Sequence, residues 1–179
     1  MAVRVVNAIS VDLEDWYQVA NLEHLIPFEN WEQCEDRLTM SVNRTLDVLR
    51  SMDVYGTFFV LGWNAERHPE VIERVAAEGH ELGTHGYSHQ LVYRQRPDEF
   101  ASELRRSVDA IRHITGSPVL GHRAASFSIT NESRWAFAVL DECGIQYDSS
   151  VMPIRHHRYG IPEASPLPHV AAGQGTLVE

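Results

Sequence analysis

Apolar and polar positions alternate along this chain in blocks whose period switches between that of a buried strand and that of a helix. Residues Val3 to Val11 are mostly β-branched and apolar, which predicts a buried first strand. Residues 18–40 keep no clean period and read as an irregular excursion over the strand ends. A helix is predicted over Ser41 to Arg50, capped by Ser41, with Val42, Leu46 and Leu49 on one face. Gly56 to Leu61 reads as the second strand. Pro69 to Glu78 reads as a helix, with Pro in its first turn and Gly79 as its stop. His80 to Thr84 is extended. Pro97 to Thr115 forms the longest helix, with Phe100, Leu104, Val108, Ile111 and Ile114 inward and Gly116 ending it. A short strand over Val119 to His122, a helix over Thr130 to Cys143 and a strand from Ile145 ending at Asp148 complete the alternation.

That order implies an α/β fold with a parallel sheet, open or closed into a barrel. No internal repeat is visible, and residues 1–179 read as one domain. From Pro153 onward the chain is Pro-rich and aperiodic, then ends on Leu177-Val178-Glu179 as if entering a strand. A (β/α) barrel takes about 200 residues or more, so the expectation is a barrel incomplete at its C-terminus.

Charge removes some function classes. A net charge of −10 argues against a nucleic-acid or anionic-membrane binder. No apolar run reaches the roughly 18 residues of a membrane span. The N-terminal apolar run is broken by Arg4 and followed by acids, so no signal peptide is read and a cytoplasmic location is expected. Cys34 and Cys143 lack zinc-ligand spacing and are too few for a disulfide framework, which favours a reduced chain.

Candidate chemistry sits where strands end. His85 and His89 are four positions apart in a Gly-punctuated segment, where a turn allowed by glycine brings two imidazoles to one point. Asp12, Glu14 and Asp15 follow the first strand, and the carboxyl ends of strands carry the chemistry of α/β folds. Two neutral imidazoles and one carboxylate make a three-ligand site of the kind that holds zinc and lowers the pKa of its water to about 7. A second carboxylate can then act as general base. Asp12 with Glu14 or Asp15 could supply both roles, and Arg123, at another strand end, could orient the free carboxylate. The plainer readings are surface histidines, an acidic turn and an ordinary exposed guanidinium; His113 reads as surface.

Three segments together resemble a known family. Ile9-Ser10-Val11-Asp12-Leu13-Glu14-Asp15-Trp16, Thr84-His85-Gly86-Tyr87-Ser88-His89 and Arg123-Ala124-Ala125-Ser126-Phe127-Ser128-Ile129-Thr130 are similar, in order, to the first three motifs of the polysaccharide deacetylases with a NodB-homology domain. Within that family they are most similar to the branch found with bacterial exopolysaccharide loci. The resemblance implies a distorted (β/α) barrel that removes N-acetyl groups from amino sugars of an oligo- or polysaccharide, using a divalent metal, zinc first. It implies Asp12 as catalytic base, Arg123 as its tether, and His85 and His89 as metal ligands. Leu13 stands where many relatives have a second Asp, so the metal carboxylate is Glu14 or Asp15. Strand alternation favours Glu14, whereas a bulge would present Asp15. Ala125 replaces a common Pro, and Tyr147-Asp148-Ser149-Ser150 occupies the place of a fourth motif. The family's last motif, a Leu and a general-acid His, has no clear match before Glu179; His156, His157 and His169 are possible stand-ins, more easily read as loop residues.

Rivals are a non-haem Fe(II) oxygenase, which shares the two-His, one-carboxylate set but is expected on a strand-rich scaffold, and a non-catalytic carbohydrate-binding barrel. A metal-free amidohydrolase is weaker, since it would leave the histidine pair without a role.

Overall fold

The computed structural model describes residues 7–171 and 175–179. Five short strands form one sheet in chain order, every neighbouring pair parallel: β1 (Ser10–Leu13), β2 (Thr57–Val60), β3 (Glu81–Thr84), β4 (Gly121–His122) and β5 (Tyr147–Asp148). The helices between them are α1 (Leu38–Ser51), α2 (Gly62–Arg67), α3 (Pro69–Ala77), α4 (Pro97–Thr115) and α5 (Ala136–Glu142). In strictly sequential parallel order, right-handed crossovers put successive helices on the same side of the sheet, as in a barrel wall rather than a doubly wound sheet.

Register sorts the strand residues onto two faces. Leu13, Phe58, Val60 and Leu82 join one apolar core with Leu46, Ile72, Val75, Leu104, Ile111 and Leu140 of the helices. Thr84, on that helix side, meets Ser107 of α4 with 2.8 Å between their hydroxyls. The opposite face carries Asp12, Phe59 and Gly83 in one paired row, with Gly121 and Tyr147 on the next two strands. Glycine is required at two of these positions. A Cβ on Gly83 would strike the Phe59 ring, and one on Gly121 the Tyr147 ring, so the two aromatics fill the space their neighbours leave.

Several boundaries differ from expectation. Residues 3–6 of the expected first strand lie outside the described residues, and the paired segment continues through Asp12 and Leu13. The first helix starts at Leu38 rather than behind a Ser41 cap, because carboxylates satisfy its opening N–H groups: Arg37 N donates to Asp15 Oδ2 at 2.7 Å and Leu38 N to Asp36 Oδ1 at 2.9 Å. Helix α2 was not anticipated. The helix expected over residues 130–143 divides into a 3₁₀ turn, Asn131–Ser133, and α5, since Thr130 and Ser133 cap the turn themselves. The region without periodicity is ordered by aromatic packing instead: Tyr17, Trp31, Trp63 and Tyr87 form a second cluster with Leu61, their rings meeting largely edge to face. Val178 pairs in parallel with Tyr147, and Asp148 N donates to Val178 O at 2.7 Å, so the segment at 177–179 does join the sheet. Cys34 and Cys143 are unbonded thiols. No described helix is long and apolar enough to cross a membrane.

Candidate metal centre

One residue beyond the paired rows, strand alternation returns Glu14, His85 and Arg123 to the face that carries Asp12. The turn after β1 is held by a buried amide pair that nothing in the local sequence announces. Asn64 and Gln18 exchange hydrogen bonds at 2.7 and 2.9 Å, Asn64 Nδ2 donates to Leu13 O at 3.0 Å, and Gln18 Oε1 accepts from Asp15 N at 2.7 Å. With the main chain fixed on both sides of Glu14, no bulge forms and the carboxylate keeps the side dictated by alternation.

Glu14, His85 and His89 converge, each offering one ligand atom within 4.8 Å of the others. Glu14 Oε2 lies 2.9 Å from His89 Nε2, yet this buried oxygen has no hydrogen-bond partner. His85 Nδ1 lies 2.8 Å from the carbonyl of Arg123. A carbonyl can only accept, so Nδ1 carries the proton and Nε2 keeps its lone pair for the cluster. Burial lowers the His85 pKa to about 4, the neighbouring Asp12 and Glu14 opposing and His89 reinforcing the shift, so the imidazole is neutral near pH 7. Burial raises the Glu14 pKa, but the His89 contact and the two imidazoles outweigh it and leave the carboxyl below its ordinary value. An orphaned carboxylate oxygen and a neutral imidazole whose other nitrogen is anchored, facing one small space, fit a divalent cation of the zinc type.

Asp15 does not reach this cluster. Its Oδ1 accepts from Trp16 N at 2.7 Å, in the turn after β1, and its Oδ2 from Arg37 N at 2.7 Å, just before α1, so both oxygens serve the main chain. Of the two carboxylates left open by the sequence, the structure brings Glu14 to the histidines and gives Asp15 a capping role.

Asp12 stands beside the cluster with its Oδ1 accepting from Arg123 Nη1 at 2.8 Å. The guanidinium is itself locked: Nε donates to Ser149 O at 3.1 Å, Nη2 to Ser149 Oγ at 2.9 Å, and Cζ lies 4.3 Å from the Phe59 ring centroid. Ser149 belongs to the tetrapeptide marked in the sequence as a possible fourth motif. Phe59, Asn64 and Gln18 carried no signal beyond an apolar strand and scattered amides.

Backbone strain gathers here. Among the described residues the non-glycine positive-φ positions are Asp53, His89, Ser126 and Phe127, and the last three border this rim. Each such position costs roughly 1–3 kcal/mol and persists only because the surroundings hold it. Gly86, at φ 78°, opens the turn that aims His89.

His122, adjacent to Arg123, faces the other way. Its Nδ1 lies 2.6 Å from Asp148 Oδ1 on the helix side, fully enclosed and edge-on to Phe100. His169 lies 3.1 Å from Leu167 O through its Nδ1, and His156 and His157 are exposed on the loop after β5.

Fold and site together define an α/β barrel-type protein with its chemistry at the carboxyl ends of parallel strands. The chain belongs to the polysaccharide deacetylase family, whose sequence profile matches residues 31–147. A peptidoglycan-N-acetylglucosamine deacetylase of Bacillus cereus is 32% identical over 94 residues, covering 52% of this chain and 34% of that protein. A crystal structure of a Mycobacterium smegmatis protein assigned to the polysaccharide deacetylases superposes with a TM-score of 0.72 at 30% identity, over 96% of this chain and 56% of the other. A CE4 family pseudoenzyme from Bacillus anthracis shares the fold at a TM-score of 0.56 and 22% identity. The chain therefore spans about a third to just over half of the length of these relatives.

Proposed function

We propose that the chain hydrolyses N-acetyl groups from amino-sugar residues of a polysaccharide, with Asp12 as general base and Glu14, His85 and His89 holding a divalent ion, zinc first. The observation that carries this reading is the pairing of two arrangements on one rim: three metal-type ligand atoms within 4.8 Å of one another, and next to them a carboxylate fixed by an immobilised arginine. When bound, such an ion supplies Lewis-acid chemistry, polarising the acetamide carbonyl and making a water acidic enough to attack.

The chain's own residues do the rest. Arg123 occupies Asp12 Oδ1, and Oδ2, which takes no hydrogen bond from the described residues, is open to receive the water's proton. His85, with Nδ1 tied to the Arg123 carbonyl, cannot rotate without breaking that bond, so the ligand set and the base keep a fixed relation. Water's oxygen bonds to the acetyl carbon, the C–N bond breaks, and acetate and a free amine leave. Among the described residues no imidazole other than His85 and His89 joins this cluster, so the proton available to the leaving amine within them is the one Asp12 has taken.

That same observation favours a second reading, a barrel that binds acetylated sugar without turning it over. Acetate release from tetra-N-acetylchitotetraose by zinc-loaded protein, measured beside zinc content, separates the two. We expect release in the parent and loss of both release and zinc in a His85→Ala, His89→Ala double variant. Full zinc content in that variant would sink the metal site; zinc binding by the parent with no acetate from any acetylated oligosaccharide would leave the binding reading.

A further inference from the structure

The three residues between His85 and His89 are each tied to the surrounding fold. Gly86 N donates to Thr84 Oγ1 at 3.2 Å, Gly86 O accepts from Gly62 N at 2.9 Å, and Tyr87 O accepts from Trp63 N at 3.2 Å. Two further ties are carboxylates that reach in from the helices. Glu66 of α2 accepts from the Tyr87 hydroxyl at 2.8 Å. Glu103 of α4 takes two bonds on a single oxygen, from Ser88 N at 3.1 Å and from Ser88 Oγ at 2.6 Å. Glu103 therefore grips the main chain one residue before His89.

That residue is the strained one. His89 sits at φ 56°, a left-handed backbone that a side chain disfavours and that persists only where neighbours over-determine it. Relaxation toward a right-handed φ would swing the Cβ of His89 and carry its Nε2 away from Glu14 Oε2, now 2.9 Å distant. Ser88 is buried, and both of its donors end on Glu103, so the chain enters His89 in one conformation. Charge strengthens this hold, since hydrogen bonds to an ionised carboxylate are shorter and roughly twice as strong as neutral ones.

Helix α4 is built to supply that grip. Glu103, Arg106 and Ser107 stand at i, i+3 and i+4, which puts them on one strip of the helix. Ser107 Oγ lies 2.8 Å from Thr84 Oγ1 where the loop begins, and Glu103 holds Ser88 where it ends. Arg106, between them, donates to Glu66 at 2.9 and 3.0 Å. Glu66 thus makes an instructive contrast. It is shared with Arg106 and holds only the far end of the Tyr87 side chain, so its loss frees a ring, whereas loss of Glu103 frees the main chain that carries His89.

We propose that Glu103 is a positioning residue for the metal centre: it fixes Ser88 so that His89 meets the space shared with Glu14 and His85 already aimed. The assignment rests on the metal site of the proposed function and is independent of whether acetate is released. Its signature is a loss of ion affinity that a general loosening of the loop does not reproduce.

Zinc affinity by chelator competition tests it, beside the absorption spectrum of the cobalt-loaded protein and urea denaturation in chelator. Glu103→Ala should bind zinc about 10–100-fold more weakly, the weight of a group that orients a metal ligand, and its cobalt spectrum should depart from the parent's. Glu103→Gln keeps an oxygen acceptor at the same reach and should restore both. Ser88→Ala removes the hydroxyl bond and spares the main-chain one, so it should weaken zinc in the same direction by less. Glu66→Ala should lower stability in urea while leaving zinc affinity and the cobalt spectrum as in the parent. Unchanged zinc affinity in both Glu103→Ala and Ser88→Ala, or a loss in Glu66→Ala as large as in Glu103→Ala, overturns the assignment. Acetate release by the parent beside either of those results keeps the deacetylase reading while removing the positioning role. A Glu103-dependent zinc affinity without acetate release does the reverse.

Discussion

His89 meets Glu14 at 2.9 Å on one face of the sheet, and His122 meets Asp148 at 2.6 Å on the other. The chemical partners are alike, yet the outcomes diverge. On the helix side both side chains are fully enclosed, burial lowers the His122 pKa to about 3, and its neutral Nδ1–H donates to Asp148. Asp148 is further bonded by Ser150 Oγ at 2.7 Å and Ser150 N at 3.2 Å, so its acceptors are used within the fold. On the open side Glu14 Oε2 has no hydrogen bond, and a third donor, His85, arrives with its outer nitrogen already engaged. An orphan atom alone does not make the difference, since His122 Nε2 is also unpartnered. What distinguishes the open side is that several lone pairs face one small space; on the closed side the lone nitrogen belongs to a ring set edge-on to Phe100.

The largest expected effect sharpens the open side. Asp12→Asn should keep its zinc content and lose about 10²–10⁴-fold in the rate of acetate release, the usual weight of a general base. Metal analysis and single-turnover assays on the same preparation check this. A folded variant that loses its zinc would mean that Asp12 is a ligand.

A smaller effect sets the two faces against each other. Asp148→Ala should destabilise the metal-free protein by about 1–3 kcal/mol, because His122 Nδ1–H and Ser150 Oγ lose their acceptor in the core. Glu14→Gln should cost the metal-free protein less, since only the contact with His89 that holds this carboxyl below its ordinary pKa is lost. Urea denaturation of both variants in chelator decides it; equal losses would erase the distinction between the faces.

The remaining test reads a pH slope. Burial, with the neighbouring Asp148 carboxylate, pushes the Glu179 pKa up to about 10 from an ordinary 4.5. The folded protein thus keeps a proton that the unfolded chain gives up above about pH 4.5, and stability declines as pH rises from there toward 10. Glu179→Gln can still accept from Ser150 N and Val151 N, so the variant should gain on the parent at pH 8 and lose that gain at pH 5. Parallel stability curves would show that Glu179 ionises normally in the fold.

Much of the open side could be read from residue order. Asp12, His85, His89 and Arg123 follow apolar strand runs, and strand ends are where a parallel fold exposes polar groups. The choice between Glu14 and Asp15 could not be read, because it depends on whether β1 bulges. That is decided by Gln18 and Asn64, the latter 51 positions from the Leu13 carbonyl it holds. The start of α1 was missed for a related reason: its first N–H groups are taken by Asp15 and Asp36 rather than by an adjacent Ser. Residues 18–40 gave no period because Trp31 packs on the Tyr17 and Trp63 rings of other segments instead of along one face. The His122–Asp148 pair was invisible, since a histidine at a strand end reads the same whichever face it takes.

Residue 123 serves the rim twice, through parts of itself that substitution treats differently. Its carbonyl fixes the tautomer of His85, and its side chain fixes Asp12. Replacing the side chain removes the second service and spares the first, because every residue type keeps the carbonyl. At this position the orientation of His85 is therefore carried by the backbone just beyond β4, whereas the hold on Asp12 depends on a side chain that a single codon change can erase. A change of side chain here would release Asp12 and leave His85 held as before.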